Sequence, residues 1–415
     1  MITSSLSKAR NLSQWSLSRS QPVALPEEPV DQFTPVEKKK IWLVHGSHTG
    51  GHRSAARALE EALEKHPGVD AEVINLAEAS QNSSPLSTAA EATLKAGPWL
   101  GKIRRWVFDQ QFAGNPMVKW ASNQAMAFEG RFQDKFLERL EAEKPDLIVS
   151  TMSATNSLLS HWKQTGEIEQ PVHSVVTDFA SHQMWAQDNI AFYYVATPAV
   201  KADLEKFGAA EEKVQVSGIP IRGEYAASSR SAAEARRELG LDPDKPLVLM
   251  LGGSLGLGGF GDTLTAIDKG EGGFQLAAIT GRNEKLESEL SALETNHDLT
   301  VRGFVDNMPS WLEAADIVVT KPGGLTCSEI LARGKPMILK RAESGLEKRM
   351  VERLGETGAA VVVDNNEQIS FQVERLLNNP EELQTLTARA RELGHPNSSD
   401  EIARQLLSTI SSSKF

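Results

Sequence analysis

A glycine-rich turn followed by a histidine opens the first structured part of the chain. It reads His45-Gly46-Ser47-His48-Thr49-Gly50-Gly51-His52-Arg53, between an apolar strand pattern and a helical pattern. Backbone N–H groups at a helix start can hold an anion or a polar substrate group, and the paired glycines allow a tight turn. His52 stands at or just before the helix, where an imidazole can act as a general base near neutral pH. A plain strand-to-helix connection is the alternative.

A second glycine-rich turn, at 251–259, follows the apolar run LVLML. The bare amides of Gly252 and Gly253 suit a diphosphate, and the Ser254 hydroxyl adds a hydrogen-bond donor. The turn lacks the Gly-Lys-Ser/Thr ending of a P-loop. Its spacing also departs from the dinucleotide fingerprint, and no acid ends the next strand to bind a ribose. The turn therefore predicts an anion site of another kind.

A third glycine pair follows another buried run, in the segment Thr320-Lys321-Pro322-Gly323-Gly324-Leu325-Thr326-Cys327-Ser328-Glu329. The glycines leave room for phosphate, and Thr326 is predicted to cap the following helix. Glu329 is predicted on the first turn of that helix, where its carboxylate can accept hydrogen bonds from the two hydroxyls of a ribose. The alternative is an ordinary helix N-terminal acid that interacts with the helix dipole.

The totals restrict the class of protein. A chain of 415 residues suits two domains, and a net charge of −11 argues against a general nucleic-acid binder. The single cysteine, Cys327, excludes an internal disulfide and a cysteine-based zinc site, and it favours a reducing cytoplasm. No apolar run is long enough to span a bilayer. Strand or surface roles are predicted for the remaining histidines that we considered, which are His45, His48, His161, His173 and His297.

Short apolar runs alternate with helical patterns and predict an α/β fold with two doubly wound parallel sheets. The predicted strands are Lys40–His45, Ala71–Leu76, Asp146–Ser150, Val172–Thr177 and Phe192–Ala196 in a first series, and Leu247–Leu251, Gln275–Ile279, Thr300–Phe304, Asp316–Thr320, Pro336–Leu339 and Ala359–Val363 in a second. A helix is predicted over Arg53–Lys65. The cleft between the two units is the expected ligand site.

Five segments follow from these patterns. Residues 1–38 form an N-terminal extension, for which a disordered tail, an amphipathic helix and a transit peptide stay open. Residues 39–225 form a first Rossmann-like domain, and 226–245 form a linker. Residues 246–395 form a second Rossmann-like domain, and 396–415 a C-terminal helix that can cross back to the first domain.

Aromatic and basic side chains are mixed in the segment 85–136. The run WLGKIRRWVF contains Trp99, Lys102, Arg104, Arg105 and Trp106. Such a mixture suits the headgroup region of an anionic bilayer, which predicts a membrane-facing surface. The alternative is that these aromatic rings pack between helices inside the domain.

The order of these segments resembles that of the diacylglycerol glycosyltransferases, namely the monogalactosyldiacylglycerol synthases and the processive diacylglycerol glucosyltransferases. More distantly it is similar to the GlcNAc transferase that makes lipid II. The pieces that carry the resemblance are HTGGHRSAARAL (48–59), PDLIVS (145–150), VVTDFASHQMW (175–185), YYVATPAVKADLEKFG (193–208), KVQVSGIPIR (213–222), LMLGGS (249–254) and VRGFVDNMPSWLEAADIVVTKPGGLTCSEILARGKPMIL (301–339).

The resemblance implies a GT-B fold and an inverting transfer of a hexose from a UDP-sugar to diacylglycerol or a glycosyl-diacylglycerol, without a metal or another cofactor. It places the acceptor in the membrane-facing domain 39–225 and the nucleotide sugar in the domain 246–395. The protein is then expected in the cytoplasm, peripherally bound to the inner, anionic face of the cell membrane, and the net charge argues against a nucleic-acid partner. By position, it implies that His52 is the base and that Asp178 orients the acceptor or the base. The acceptor and phosphate turn comprises Thr49, Gly50, Gly51 and His182. The nucleotide-sugar site comprises Gly252, Gly253, Ser254, Phe304, Val305, Met308, Gly323, Gly324, Leu325, Thr326, Glu329 and Glu347.

One segment departs from the family pattern. After the strand PMIL the family usually has Gly-Gln-Glu and, further on, Asn-Ala, whose amides contact the donor sugar. Here Leu346 replaces the glutamine and Met350 replaces the asparagine, whereas Glu347 remains. Two further hypotheses therefore stay open: the same fold acting on another lipid or a soluble acceptor, and a non-catalytic protein that binds nucleotide sugars.

Overall fold

Two parallel six-stranded sheets form the body of the protein. The computed structural model describes residues 38–46, 50–76, 78, 106–107, 109–226, 230–252, 259–342 and 345–412. The first sheet contains β1 Lys39–His45, β2 Val69–Asn75, β3 Leu147–Ser150, β4 Val172–Val175, β5 Phe192–Val195 and β6 Val214–Val216. The second contains β7 Leu247–Leu251, β8 Gln275–Ile279, β9 Asp298–Arg302, β10 Ile317–Thr320, β11 Met337–Lys340 and β12 Ala360–Val363.

Helices connect consecutive strands in both halves, except that a segment without a helix joins β4 to β5. In the first half and the segment that leaves it, these are α1 Gly50–Glu64, α2 Pro116–Gly130, α3 Asp134–Glu143, α4 Ser153–Thr165, α5 Pro198–Lys206 and α6 Ala232–Glu238. In the second half they are α7 Phe260–Asp268, α8 Glu284–Ser291, α9 Met308–Ala314, α10 Gly324–Ala332, α11 Gly345–Glu356, α12 Asn366–Leu377, α13 Pro380–Leu393 and α14 Ser398–Ser412.

Each sheet has one point at which the strand order reverses. The orders are β2-β1-β3-β4-β5-β6 and β12-β11-β10-β7-β8-β9, and every recorded pairing is parallel. The reversal lies between β1 and β3 in the first sheet and between β7 and β10 in the second. Ligands of open α/β sheets bind in the crevice beside the carboxyl ends of the strands at such a point. The topology therefore predicts that ligands bind beside the segments after β1 and β3, and after β7 and β10.

Apolar patterning explains why these segments form these elements. Strand β1 is flanked by neighbours on both sides, and Ile41 to Val44 are completely buried, as expected for a central parallel strand. Helix α1 is amphipathic and buries Ala55, Leu59 and Leu63 on the face towards the sheet. The predicted α/β fold with two doubly wound sheets is confirmed. Strand β6 was not predicted, because its three residues are too few for a periodic signal.

The two halves are in direct contact. One apolar cluster includes Trp42 and Ile148 of the first sheet together with Leu249 and Leu339 of the second. Helix α11 adds polar contacts, because Arg353 Nη2 lies 2.9 Å from Asp203 Oδ1, and the Arg349 guanidinium lies 4.5 Å from the centre of the Phe112 ring.

The chain crosses between the halves twice, within 217–231 and again at 394–397. These crossing segments are bonded to each other, since the Ser398 and Ser399 hydroxyls donate to the Ile219 and Ile221 carbonyls at 2.8 and 2.6 Å. After the second crossing, α14 packs on α1 of the first half. Among the described residues, no helix combines the length and apolar character needed to traverse a bilayer.

Candidate active site

His52 lies within the first turn of α1, beside the carboxyl ends of β3 and β4. Its Nδ1 is 2.8 Å from the Thr177 hydroxyl oxygen. The Thr177 hydroxyl also approaches the Thr151 carbonyl oxygen at 3.3 Å, and the Thr151 hydroxyl donates to the His52 carbonyl at 3.1 Å. Two threonines from neighbouring strand ends therefore hold both the ring and the backbone of the histidine.

This network accommodates the tautomer that a base requires. A hydroxyl has one proton to donate; with that proton on the Thr151 carbonyl at 3.3 Å, the Thr177 oxygen accepts from Nδ1–H of His52 at 2.8 Å. In this tautomer the lone pair is on Nε2, the form in which a histidine takes a proton from a substrate.

Electrostatics favours the neutral ring. Burial is the main cause that lowers the pKa of His52 below its ordinary value, and nearby His45 lowers it further, against an opposing hydrogen bond to Thr151. The imidazole is thus available as a base at neutral pH.

Asp178 and His182 lie on the segment after β4. Burial of its carboxyl raises the pKa of Asp178 to about 7, although the residue keeps some exposed surface. His182 is buried, and burial lowers its pKa to about 4. Its ring packs edge-on against Phe112 with the centroids 5.4 Å apart. The recorded ring partner of His52 is Thr177, the residue directly before Asp178.

The raised pKa of Asp178 predicts a pH-dependent stability. The folded state binds a proton up to about pH 7, whereas the unfolded carboxyl loses it near pH 4. The free energy of unfolding therefore falls as pH rises through this window. We expect Asp178→Asn to stabilise the protein at pH 8 by about 1–3 kcal/mol and to have little effect at pH 4.5. Urea unfolding of both proteins at the two pH values measures this.

Asp188→Asn is the matched control, because Asp188 lies exposed further along the same segment. It should leave the urea midpoint unchanged at both pH values. An Asp178→Asn protein that gains no stability at pH 8 relative to pH 4.5 would contradict the burial of a protonated carboxyl.

The N-terminus of helix α10, in the second half, lies beside the His52 network. A methyl group on Gly324 would lie 2.0 Å from the Thr177 carbonyl oxygen, a distance at which atoms cannot coexist. Glycine at this position therefore permits the two halves to touch beside the His52 network. The first amides of α10 have no intrahelical acceptor, and the helix dipole adds positive potential there. This end of the cleft is suited to a negatively charged group.

Two details of α10 correct the sequence prediction. Thr326 does not cap the helix, because α10 starts at Gly324 with Gly323 as N-cap and Thr326 lies inside the first turn. Glu329 lies on the second turn for the same reason. Burial raises the pKa of Glu329 to about 7, while a hydrogen bond with Tyr225 and the nearby Arg222 charge act against this.

The segment after β9 presents an exposed ring. Phe304 is 62% exposed, and the Arg282 guanidinium lies 5.4 Å from its centre. Val305 and Met308 are half-buried against the main apolar cluster, as is Leu325 at the start of α10. Gly252 follows β7 and donates its N–H to the Ile279 carbonyl at 3.2 Å, so this amide is not bare as the sequence prediction had it. Gly50 and Gly51 begin α1. The predicted residues Thr49, Gly253 and Ser254 lie outside the described part of the chain.

The segment that departs from the family pattern forms the start of α11. Met350 is 2% exposed and belongs to the main apolar cluster, and Leu346 packs against the same cluster. Core packing therefore occupies the positions at which sugar-binding amides were expected. Glu347 is exposed on the first turn of α11.

The described aromatic side chains of the segment 85–136 include both buried and exposed ones. Phe112 and Phe136 are buried in the apolar core, as the packing alternative predicted. Trp106, Trp120 and Phe128 are 56%, 64% and 45% exposed. Trp99, Lys102, Arg104 and Arg105 fall outside the described residues.

Thr151 and Thr177 were not identified from the sequence. Both follow buried apolar runs, in IVST and VVTD, and a hydroxyl at the carboxyl end of a strand beside the reversal point was the available signal. Across the described ranges, no group of three or more histidine, cysteine or acidic residues is arranged to hold a metal ion.

Comparison with solved structures defines the class of fold. MurG of Acinetobacter baumannii superposes with a TM-score of 0.59 at 17% identity, over 89% of this chain and 99% of that one. Anabaena HepE in complex with UDP-glucose superposes with a TM-score of 0.53 at 14% identity, over 89% and 99%. The protein therefore has the GT-B fold, with two doubly wound domains facing a cleft.

Sequence comparison then gives the family. A monogalactosyldiacylglycerol (MGDG) synthase model matches residues 52–221, and a glycosyltransferase family 28 C-terminal domain model matches 247–403. A processive diacylglycerol β-glucosyltransferase of Bacillus subtilis (strain 168) is 31% identical over 272 residues, which cover 65% of this chain and 70% of that relative. The chain belongs to the diacylglycerol glycosyltransferase family and is a glycosyltransferase.

Proposed function

We propose that this protein transfers a hexose from a UDP-sugar to diacylglycerol or a glycosyl-diacylglycerol, with inversion at the anomeric carbon and without a metal ion. The observation that carries the proposal is the His52–Thr177 pair at the reversal point of one domain, directly opposite the N-terminus of α10 in the other. This arrangement places a neutral base beside an anion-binding site. Family membership supports the lipid acceptor.

On the acceptor side, the acceptor hydroxyl oxygen attacks C1 of the sugar while its proton moves to Nε2 of His52. Attack and departure occur on opposite faces of C1, so the configuration inverts. Thr177 accepts from Nδ1–H throughout and stabilises the charge that forms on the imidazole. Asp178, one residue further along the same segment, orients the acceptor or the base.

On the donor side, the bond from C1 to the diphosphate oxygen breaks, and UDP leaves with the electron pair. The amides of Gly324 and Leu325 at the start of α10, and the residues that follow Gly252, bind the developing charge. Glu329 accepts from the ribose hydroxyls, and the exposed Phe304 ring and the backbone at Val305 contact the uracil. On α11, Glu347 contacts the sugar, because Leu346 and Met350 pack in the core.

Membrane contact is assigned to α2. Met117, Trp120 and Phe128 are exposed at helical spacing on this helix, and the Arg131 guanidinium lies 5.9 Å from the Phe128 ring centre. An apolar helix face with a cation at its end suits the boundary between headgroups and acyl chains. Together with Trp106, this face would hold the acceptor domain on the anionic inner leaflet of the cell membrane.

The assignment predicts that Trp120→Glu weakens binding to anionic vesicles about ten-fold, because a large ring leaves the interface and a repelled charge replaces it. Vesicle co-sedimentation measures the loss. Phe371→Glu is the matched control, since Phe371 is 60% exposed on α12 of the other domain and should have no effect. Equal binding of all three proteins would exclude α2 as the contact surface.

The proposed function is tested by mass-detected transfer from a panel of UDP-sugars to diacylglycerol in anionic vesicles. A glycosylated diacylglycerol of inverted configuration, formed in the presence of a chelator, is the expected product. If the sugar is transferred only to another lipid or to a soluble sugar, diacylglycerol is not the acceptor. UDP binding without transfer or hydrolysis of any donor would favour a non-catalytic protein.

A further inference from the structure

A cavity of about 260 Å³ lies between the two halves, with walls formed by the segment after β4, by α5 and by α11. It adjoins the residues proposed to receive the acceptor. Ser181, which lines it, follows Asp178 by three residues and directly precedes His182. The ring of Phe112, also in the wall, packs edge-on against the His182 ring with the centroids 5.4 Å apart. The mechanism described above leaves this cavity without a role.

The hydroxyl of Ser181 is buried without a partner. The residue is 2% exposed, and no described group lies within hydrogen-bond distance of its Oγ. Its backbone is satisfied, because the N–H donates to Asp203 Oδ2 at 3.4 Å. Buried polar side chains nearly always have a hydrogen-bond partner. The hydroxyl is therefore available to a polar group that enters the cavity.

The size and the charge of the cavity restrict what can enter. Its volume is just below the range of about 300–1,000 Å³ that is typical of pockets for drug-sized ligands, so it suits a small group. Its charged side chains balance, and polar walls do not suit an acyl chain. The basic ones are Lys206, Arg349 and Arg353, and the acidic ones are Asp203, Glu352 and Glu356. Because the charges cancel, the cavity favours a neutral ligand with many hydrogen-bonding groups over an anion such as phosphate.

An ion pair across the cavity presents donors and acceptors in fixed positions. Arg353 Nη2 lies 2.9 Å from Asp203 Oδ1, and Arg353 Nη1 lies 3.2 Å from a Glu356 carboxylate oxygen. A guanidinium has five N–H donors and a carboxylate has about four acceptor sites, so both groups keep unused capacity. Sugar hydroxyls donate and accept at once, and therefore match such a mixed set.

Arg349 adds a further donor on the same face of α11. It precedes Arg353 by four residues, so the two side chains share one side of the helix. Its guanidinium lies 4.5 Å from the centre of the Phe112 ring, and no ion pair to a carboxylate is recorded for it among the described residues. Its N–H groups are thus held beside the cavity without a carboxylate partner.

We propose that this cavity is the subsite for the sugar that a glycosyl-diacylglycerol acceptor already carries, and that Ser181, Arg349 and the Arg353–Asp203 pair recognise it. The inference rests on the proposed function, in which both diacylglycerol and its glycosylated form accept a hexose. A glycosylated acceptor presents the attacking hydroxyl on its own sugar ring, so the ring must lie beside the acceptor segment. Diacylglycerol has no such ring and leaves the cavity to water.

The chemistry of this second transfer is that of the first. A hydroxyl oxygen of the acceptor sugar attacks C1 of the donor, its proton passes to Nε2 of His52, and UDP leaves with the electron pair. The subsite contributes by holding the ring in place during this step. Gln183 Nε2 donates to the carbonyl of Asn115, the N-cap residue of α2, at 3.0 Å. The acceptor segment is thereby bonded to the helix proposed to contact the membrane, from which the headgroup enters.

The test measures kcat/KM for two acceptors in anionic vesicles: diacylglycerol, and the monoglycosyl-diacylglycerol purified from the protein's own reaction. Ser181→Ala should lower kcat/KM for the glycosylated acceptor about 3–10-fold, the effect of one neutral hydrogen bond. Arg349→Met keeps an unbranched side chain over Phe112 but removes a charged donor, so we expect a loss of about 10–100-fold. Both variants should use diacylglycerol as the unchanged protein does.

Ser160→Ala is the matched control, because it removes a buried hydroxyl that has a partner. Asn189 Nδ2 lies 3.3 Å from the Ser160 Oγ, on α4. This variant should lower the urea midpoint and leave the preference between the two acceptors unchanged. Ser181→Ala should leave the urea midpoint unchanged, because its hydroxyl has no protein partner to lose.

The remaining outcomes identify which assumption fails. Equal losses for both acceptors in Ser181→Ala and Arg349→Met would make the cavity a contact that holds the halves together, and would overturn the inference. Unchanged use of the glycosylated acceptor in either variant would overturn it as well. If the unchanged protein glycosylates diacylglycerol but not the glycosylated acceptor, the inference fails and the first transfer stands. If it glycosylates neither, the proposed function fails.

Discussion

His52→Ala should lower the rate of sugar transfer by about 10²–10⁴-fold while UDP binds with unchanged affinity. The variant removes the only group proposed to take the acceptor proton, whereas the nucleotide is assigned to the other domain. Because the pKa of His52 is lowered, protonation of His52 should reduce transfer by the unchanged protein only in acid. Transfer is measured with diacylglycerol vesicles and UDP binding by titration calorimetry.

Two companion variants make this result specific. His161→Gln changes a histidine near the C-terminal end of α4, away from the carboxyl edge of the sheet, and should retain full transfer. Thr177→Val keeps the shape of the side chain but removes the acceptor of Nδ1–H, so we expect a smaller loss of about ten-fold. Unchanged turnover in His52→Ala would reject the assigned base.

Gly324→Ala should reduce transfer by about 10–100-fold, which is a large effect for one methyl group. The added carbon would lie 2.0 Å from the Thr177 carbonyl oxygen. That oxygen belongs to the backbone, so relief requires α10 and the segment after β4 to separate by about 1 Å. A misplacement of this size can cost about 100-fold in rate, and it displaces the residue that orients His52. Overpacking should also lower the free energy of unfolding by about 1–3 kcal/mol.

Gly261→Ala is the matched control for this variant. Gly261 lies in the first turn of α7, where an added methyl group would meet only Leu290 Cδ2, at the ordinary distance of 3.7 Å. Alanine there should stabilise the helix by about 0.4–1 kcal/mol and leave transfer unchanged. Transfer assays and urea unfolding of both variants distinguish a steric effect at Gly324 from a general intolerance of alanine. Full activity of Gly324→Ala would show that the two halves do not meet there during catalysis.

The strands of both sheets were predictable because a buried parallel strand is a continuous apolar run between turns. Each of the ten predicted runs between residues 71 and 363 overlaps an observed strand. Strand β9, however, extends over Asp298–Arg302, two residues earlier than predicted. Its residues are only partly buried, which weakens the pattern. The start of α10 was also misjudged, since paired glycines do not reveal which of them is helical.

The site could be predicted in part. The turn at His52 and the glycine pair of α10 are local in sequence and therefore visible as motifs. Their junction is not, because the contact between Gly324 and Thr177 depends on how two domains pack. The role of Thr177 depends on a hydrogen bond to a residue 125 positions away. The burial of Met350 likewise follows from tertiary packing rather than from the motif that it interrupts.

The bonded crossing segments determine how the cleft can open. Ser398 and Ser399 bond the second crossing to Ile219 and Ile221 of the first. The two crossing segments therefore form one connection about which the halves can rotate. At Gly218 this connection is so tight that a methyl group would lie 2.4 Å from the His395 Cβ. In a rotation about this connection, groups far from it travel furthest, and the crossing segments themselves stay in contact.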